Sequence, residues 1–464
     1  MQFGHEQKPK TSGLKPLAFI TRAGMPTTTD PEAGTGATPM EIGARLAATQ
    51  SIFTAGHALT TGGFFNYFVS SYKPTATWLA LLQAAPEFFE TAGLLTRPII
   101  MRLVSRKALW ILGLVLGRLA ALGIPLVAIL GQGMAATEVL PWILVAVAVW
   151  YSLQGLSYIS FLSWLSDLAP ERTWGRVFAS RQLVYVVMTW GMATAGGAAA
   201  RWQKANLPKD QQFWFYVVAF TVGGVVAGLS FLPMLSLPSL ATRAVFERRE
   251  FLRPLRAAIA DRNFGCLLVW ATHMALAQGL TQAVLTKYQI DVLKIPLDGY
   301  LRMSAVMLSV QAILSVVAGY LSDRIGDRNL LFGTHLALSV AMVFPLLATP
   351  EHPDWQYGAY ITWGLFGIVN VVMYTLAWRL APHSDNTSFL GLFRPLSGLT
   401  AALAGIAGGI ALDRLLTAGW TWPAFGRTWT GFHLLFVVSL IGRATAPFWL
   451  LGIHRSGERR ASAP

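Results

Sequence analysis

An all-α membrane protein, with twelve transmembrane helices as two six-helix bundles related by a parallel pseudo-twofold repeat, is the fold class this sequence predicts. Three observations predict it. The 464 residues are 54% hydrophobic and only 12% charged, about half the charged share of a soluble globular chain. Apolar runs of the roughly 20 residues that cross a bilayer core recur along the chain in two sets of six. Landmarks of the first set return in the same order in the second.

Residues 1–40, rich in Pro, Gly and Thr, hold no apolar stretch long enough for a signal-peptide core. They are expected to form a disordered cytoplasmic segment, with Met25 or Met40 as alternative starts. The spans are expected at 46–71, 76–96, 108–131, 139–166, 178–200 and 213–236, then at 264–288, 300–322, 329–349, 355–380, 388–412 and 431–453. Residues 41–236 are therefore read as an N-terminal bundle, 263–453 as a C-terminal bundle and 454–464 as a cytoplasmic tail. The intervening segment 237–262 carries six Arg. It reads as a basic cytoplasmic linker, either solvated or lying on anionic lipid with Phe246, Phe251 and Leu255 inward.

With both termini in the cytoplasm, cytoplasmic segments hold about 25 of the 36 Lys and Arg and the opposite loops about nine, the bias expected of a cytoplasmic (inner) membrane protein. The net charge of +14 is thus a topology signal and not a nucleic-acid footprint. The single cysteine, Cys266, excludes an intramolecular disulfide and a Cys-based metal site. Trp142, Trp355, Trp420 and Trp422 near span ends fit an interfacial belt.

The halves repeat each other. Leu168-Ala169-Pro170 followed by Arg181 returns as Leu380-Ala381-Pro382 followed by Arg394. Gly113 and Pro125 return as Gly333 and Pro345, Gly228 and Pro233 as Gly442 and Pro447, and His57 as His273. An even number of spans per half makes the repeat parallel, as in many transporters.

Between the eighth and ninth spans stands "GYLSDRIGDRN", residues 319–329. Its Gly319, Asp323, Arg324, Gly326 and Arg328 resemble the loop signature Gly-x-x-x-Asp-Arg-x-Gly-Arg-Arg/Lys of the major facilitator superfamily, with Asp327 at a position usually Arg. A glycine lets helix ends approach closely, and the charges can pair across elements or with helix termini. The resemblance implies a cytoplasmic gate that latches the halves in one state. The first-half counterpart, Gly93 to Pro98, has Arg97-Pro98 where the family has Asp-Arg. "SWLSDLAPERTWGRVFASRQ", residues 163–182, also looks like the loop after the fourth span in many bacterial members. The resemblance covers the chain after residue 40.

It further implies a cavity lined mainly by the first, fourth, seventh and tenth spans. Polar groups there are costly in lipid and are expected to face the cavity or a protein partner. The substrate-cavity candidates are Gln50, His57 and Thr60, then Tyr151, Gln154 and Tyr158, then His273, Gln278 and Gln282, and lastly Asn370 and Tyr374. For His57 and His273 the other reading is a histidine bonded to neighbouring backbone or hydroxyls inside the bundle.

Glu87 and Glu90 are carboxylates deep in a span, where a charge costs on the order of 2.5–3.5 kcal/mol on insertion scales. Glu87 and Arg118 lie at matching depth, so an ion pair is expected between them, leaving Glu90 to carry a proton or cation; locking of neighbouring helices is the other reading. Arg443 is expected to snorkel to the interface. Arg181 and Arg394 either guard the cytoplasmic cavity mouth or bond carbonyls at helix ends. Gln154-Gly155 keeps part of the Arg-x-x-Gln-Gly signature of proton-coupled members, with Tyr151 in the Arg position. "GMATAGG", residues 191–197, lacks the Gly-Pro of antiporters.

The expected function is secondary active transport of a small solute by alternating access, as a monomer, with a proton or sodium ion as symported partner and no cofactor or metal. No P-loop or spaced His/Cys cluster is present, so no enzyme is expected. A non-transporting receptor or assembly factor on the same fold is the alternative, and an intramembrane enzyme using His57 and His273 a third.

Overall fold

The computed structural model describes residues 38–96, 99, 105–168, 174–208, 211–239, 259–380, 386–424 and 426–454. The expected disordered segment up to residue 37, most of the basic linker, the tail beyond 454, Arg97-Pro98 and both Ala-Pro pairs lie outside them.

Twelve spans are present. Ten are single helical stretches long and apolar enough to cross a membrane among the described residues. The first two reach that length only in pieces. Span one runs Pro39–Thr60 and then Gly62–Ser70, starting earlier than expected because Thr38 and Glu41 form a reciprocal capping box. It breaks at Gly62, whose φ of +56° suits glycine. The freed His57 carbonyl accepts from Thr60 at 3.1 Å and Thr61 at 2.8 Å, so the break is satisfied without water. Span two runs Ala76–Phe89 and tightens into a 3₁₀ turn over Glu90–Leu95. Pro86 lies inside it and has no N–H to give the Leu82 carbonyl.

Spans three to six follow at Arg106–Leu130, Ala136–Leu168, Trp174–Asn206 and Gln212–Gly228, the last extended by Leu229–Met234. The second half runs Arg262–Lys287 with a π turn to Val292, Leu297–Ile325, and Asp327–Ser339 continued to Leu347. Trp355–Trp363 with Phe366–Leu380, Asn386–Thr417, and Gly431–Thr445 continued to Gly452 complete it. Side-chain caps start several spans: Thr75, Ser105 and Asp261 accept from the backbone N–H three residues on. A short antiparallel hairpin, Thr421–Ala424 with Thr430 back to Arg427, joins the last two spans; apolar periodicity gives no sign of it.

The apolar cores centre on one half or the other but meet between them, the first taking in Ala283, Leu297 and Leu301 and one in the second half taking in Ala76. Phe68, Leu79, Ile143, Trp150 and Phe220 fill the first. Phe264, Trp270, Leu338 and Val372 fill one part of the second, and Tyr288, Tyr360 and Phe436 another. The halves close alike at the end that carries the chain termini. Arg45 on span one bonds Ser236 after span six, and Asn263 on span seven accepts from the His454 N–H after span twelve at 2.9 Å. Leu116, Leu119, Leu183, Val187, Ile313 and Val316 stay exposed on outer faces, the apolar surface a lipid solvent requires.

Between halves, span two packs on span eleven and span five on span eight. Span seven crosses span eleven so closely that a Cβ on Gly279 would lie 2.2 Å from the Ala401 carbonyl oxygen, and one on Gly408 1.9 Å from that of Leu280. Small residues at this crossing let backbones touch.

Candidate functional site

The crossing spans leave a central cavity of about 650 Å³ between the halves. Its N-terminal wall includes Thr60, Asn66, Gln83, Glu87 and Tyr151; its C-terminal wall includes Gln278, Gln282, Gln289, Tyr300 and Arg443. Of the residues expected to face a cavity, Thr60, Tyr151, Gln278 and Gln282 line this one. Asn370 and Tyr374 line a second cavity of about 260 Å³ beside it.

One end is sealed. Among the described residues the hydrogen bonds joining the halves lie at the end remote from the termini or near mid-span. Both Asp413 carboxylate oxygens accept, at 2.8 Å each, from the N–H groups of Ala76 and Thr77 that open span two. Lys287 Nζ donates to the Pro74 carbonyl at 2.8 Å and Tyr67 to that of Ile295 at 2.7 Å. Deeper in, Gln83 Nε2 donates to Thr286 Oγ1 at 3.1 Å, and Trp190 Nε1 to Ser309 Oγ at 3.0 Å.

The expected Glu87–Arg118 pair does not form. Arg118 is 3% exposed; its Nη2 lies 3.3 Å from His57 Nδ1 and donates to Gln154 Oε1 at 3.3 Å. Its guanidinium stands 4.9 Å from the ring centres of Phe53 and Trp150, a cation held by aromatic faces. Gln154 in turn donates to Glu90 Oε1 at 3.2 Å. Depth along the axis brings Glu87 level with Arg118, but rotation about the axis turns Glu87 toward span eleven, where its Oε2 lies against Gly398. Span four meets Glu90 because Gly155 leaves no room for a side chain: a Cβ there would fall 2.4 Å from the Glu90 carbonyl oxygen.

His57 and Gln154 thus belong to a partly buried Glu90–Gln154–Arg118–His57 chain and are not among the residues lining the central cavity. His273 is a second correction. It accepts from Trp449 Nε1 at 3.1 Å and lies 3.5 Å from Thr445 Oγ1, on the face turned to span twelve, away from the cavity. Arg443 reverses the snorkelling expectation. It is 6% exposed, bonds Ser439 at 3.0 Å and Thr281 at 3.3 Å, and lines the central cavity. No repeated motif or carboxylate at its depth signals this; two hydroxyls satisfy it.

Gln50, Tyr158 and Arg181 form a cluster toward the termini. Arg181 Nε donates to Gln50 Oε1 at 2.7 Å and its guanidinium stands 5.7 Å from the rings of Tyr158 and Phe161. It binds an amide, not a helix-end carbonyl. The side chains of Arg394 and Asp323 lie outside the described residues. In the charged loop, Gly326 takes φ +83° between spans eight and nine, Gly319 meets nothing, and Arg324 lies 4.3 Å from the Tyr320 ring. Asp327, the departure from the signature, is 4% exposed, accepts from Ser322 and pairs with Arg379 at 3.1 Å. Arg328 donates to the Ile453 carbonyl at 2.7 Å. These described contacts tie spans within the second half.

The family model of the Major Facilitator Superfamily matches residues 191–405. No curated protein matches the chain in sequence. Among solved structures, the D-xylose-proton symporter is 12% identical over 89% of this chain and 97% of its own, with TM-score 0.65. The nucleoside transporter NupG is 11% identical over 89% and 98%, with TM-score 0.63. A bacterial homologue of the iron transporter ferroportin, in its inward-facing state, is 15% identical over 90% and 100%, with TM-score 0.63. The chain carries the fold of the Major Facilitator Superfamily, with sequence likeness to that family over 191–405.

Proposed function

We propose that the protein is a secondary active transporter that carries a small polar solute across the cytoplasmic membrane by alternating access, with both termini in the cytoplasm. The observation that carries this reading is the central cavity lined by both halves and sealed at one end by bonds between them. Such bonds join groups on different rigid bundles, so a rocking motion can break them together and remake others at the opposite end. The solved structures of like fold are transporters by name, which supports the same reading.

Tyr151, Gln278 and Gln282 are the proposed substrate contacts, supported by their place on opposite walls. Glu90 is the proposed coupling carboxylate for a proton or sodium ion, because its bond to Gln154 connects it to Arg118 and His57. Gain or loss of charge at Glu90 would be felt through that chain.

Purified protein in proteoliposomes, offered labelled solutes with and without a pH or sodium gradient, tests this. Gradient-dependent accumulation of one solute is expected. Binding with no uptake under any gradient would favour the receptor or assembly-factor reading instead.

A further inference from the structure

The central cavity has an annex. The two spaces share Glu87, Gln278, Phe366 and Ala401. In the main chamber, Gln83 Oε1 is buried without a partner among the described residues, and Gln282 one turn from Gln278 is exposed to the space. Carboxamides donate and accept without charge, so this wall suits hydroxyl and amide groups. The annex lies mainly in the second half, where Met274, Met373, Phe393 and Trp270 form one part of its wall and His335, Asn370, Tyr374 and Ser397 another, with Phe366 at its mouth. Methionine and aromatic walls are polarizable and adapt to a ring or alkyl body. Trp270 is 2% exposed and its indole N–H has no partner among the described residues.

Glu87 stands at the junction. Its side chain is exposed to the cavities, its Oε2 faces bare Gly398, and Arg118 turns Nη2 to His57 and Gln154 while its buried Nη1 has no hydrogen-bond partner among the described residues. Arg443, the other charged group on the chamber wall, is spent on Ser439 and Thr281. Among the described residues neither arginine is ion-paired to Glu87, and a carboxylate exposed to a chamber walled by protein can take its counter-charge from a cation that the ligand brings.

We infer that the site takes an amphipathic organic amine: its ammonium group at Glu87, its aryl or alkyl body in the annex, and its hydroxyl or amide groups toward Gln83, Gln278 and Gln282. This rests on the reading of the central chamber as the substrate site and names the class of substrate.

The test uses the full chain in lipid nanodiscs and three probes. Tyramine carries ring and cation, tyrosol is its neutral counterpart, and ethanolamine is a cation without a ring. Binding is read by quenching of tryptophan fluorescence and by thermal shift. Tyramine is expected to bind at least tenfold more tightly than either control. Glu87→Gln should abolish the preference for tyramine over tyrosol, and Glu87→Asp should keep part of it. Met373→Trp, which fills the annex, should weaken tyramine while leaving ethanolamine unchanged. Equal binding of tyramine and tyrosol, absent tyramine binding, or a preference that survives Glu87→Gln in a folded variant overturns the inference.

Uptake of N,N,N-trimethyltyramine, which does not cross lipid unaided, separates this inference from the transport reading. Glu87-dependent binding without uptake sustains the ligand class and counts against transport. Gradient-driven uptake of a neutral solute, with the amines ignored, sustains transport and overturns the ligand class.

Discussion

Replacing Asp413 with Ala removes a side chain that holds the start of span two to the end of span eleven across the sealed end. Its two oxygens each accept a backbone N–H at 2.8 Å, and a carboxylate at a helix N-terminus also meets the positive end of the dipole. Hydrogen bonds to a charged group contribute about 1.5–3 kcal/mol each. Asp413 is only partly buried, so solvent screening discounts the pair to roughly 2 kcal/mol in total. At 1.4 kcal/mol per factor of ten, that is about a thirtyfold shift away from the sealed arrangement. The remaining bonds of Lys287 and Tyr67 should keep the sealed form present. The assay is pulsed electron spin resonance between labels at Lys73→Cys and Lys294→Cys, on loops of opposite halves, in a Cys266→Ser background. Asp413→Ala should add or enlarge a long-distance population. An unchanged distance distribution would show that the Asp413 contact is incidental to closure.

Glu90→Gln should lower pH-gradient-driven accumulation tenfold or more while solute counterflow persists; uptake that stays pH-driven across several pH values removes Glu90 from the coupling role. Arg118→Ala should destabilise the protein by about 2–4 kcal/mol, since it strips charged hydrogen bonds from the half-buried Gln154 and His57. Arg118→Lys should restore only part, for want of a planar fork, as read by thermal unfolding in detergent. Gly408→Ala would set a Cβ 1.9 Å from the Leu280 carbonyl oxygen. The spans must part, at a cost of about 1–3 kcal/mol or more, seen as a lower melting temperature than Gly333→Ala, where nothing stands within 4 Å. Arg379→Ala leaves buried Asp327 with only Ser322 and should lower the melting temperature, whereas Arg324→Ala, which stacks on an exposed tyrosine, should not.

Twelve spans, their order and most of their ends could be read from the chain because apolar length is a one-dimensional property. The halves' kinship was legible for the same reason: glycines and prolines recur in register whatever their neighbours. Candidates with a favourable face, such as Tyr151, Gln278 and Gln282, came out on the cavity wall. Those that failed did so through azimuth. Glu87 and Arg118 share a depth yet point to different spans, and His273 sits at the level of His57 but looks at Trp449. Gly62 lies inside the first apolar run, which does not show that its positive φ splits span one beside the cavity.

The sequence by itself determined that this chain crosses lipid as two similar sets of six helices, since a run of apolar residues has no other stable place for its backbone. Tertiary structure decided which polar groups meet. Rotation of each helix about its axis is set by close backbone crossings such as Gly155 on Glu90 and Gly279 on Ala401. Those crossings join residues far apart in the chain, so no local pattern encodes that Glu90 is tied to Gln154 while Glu87 faces an open chamber.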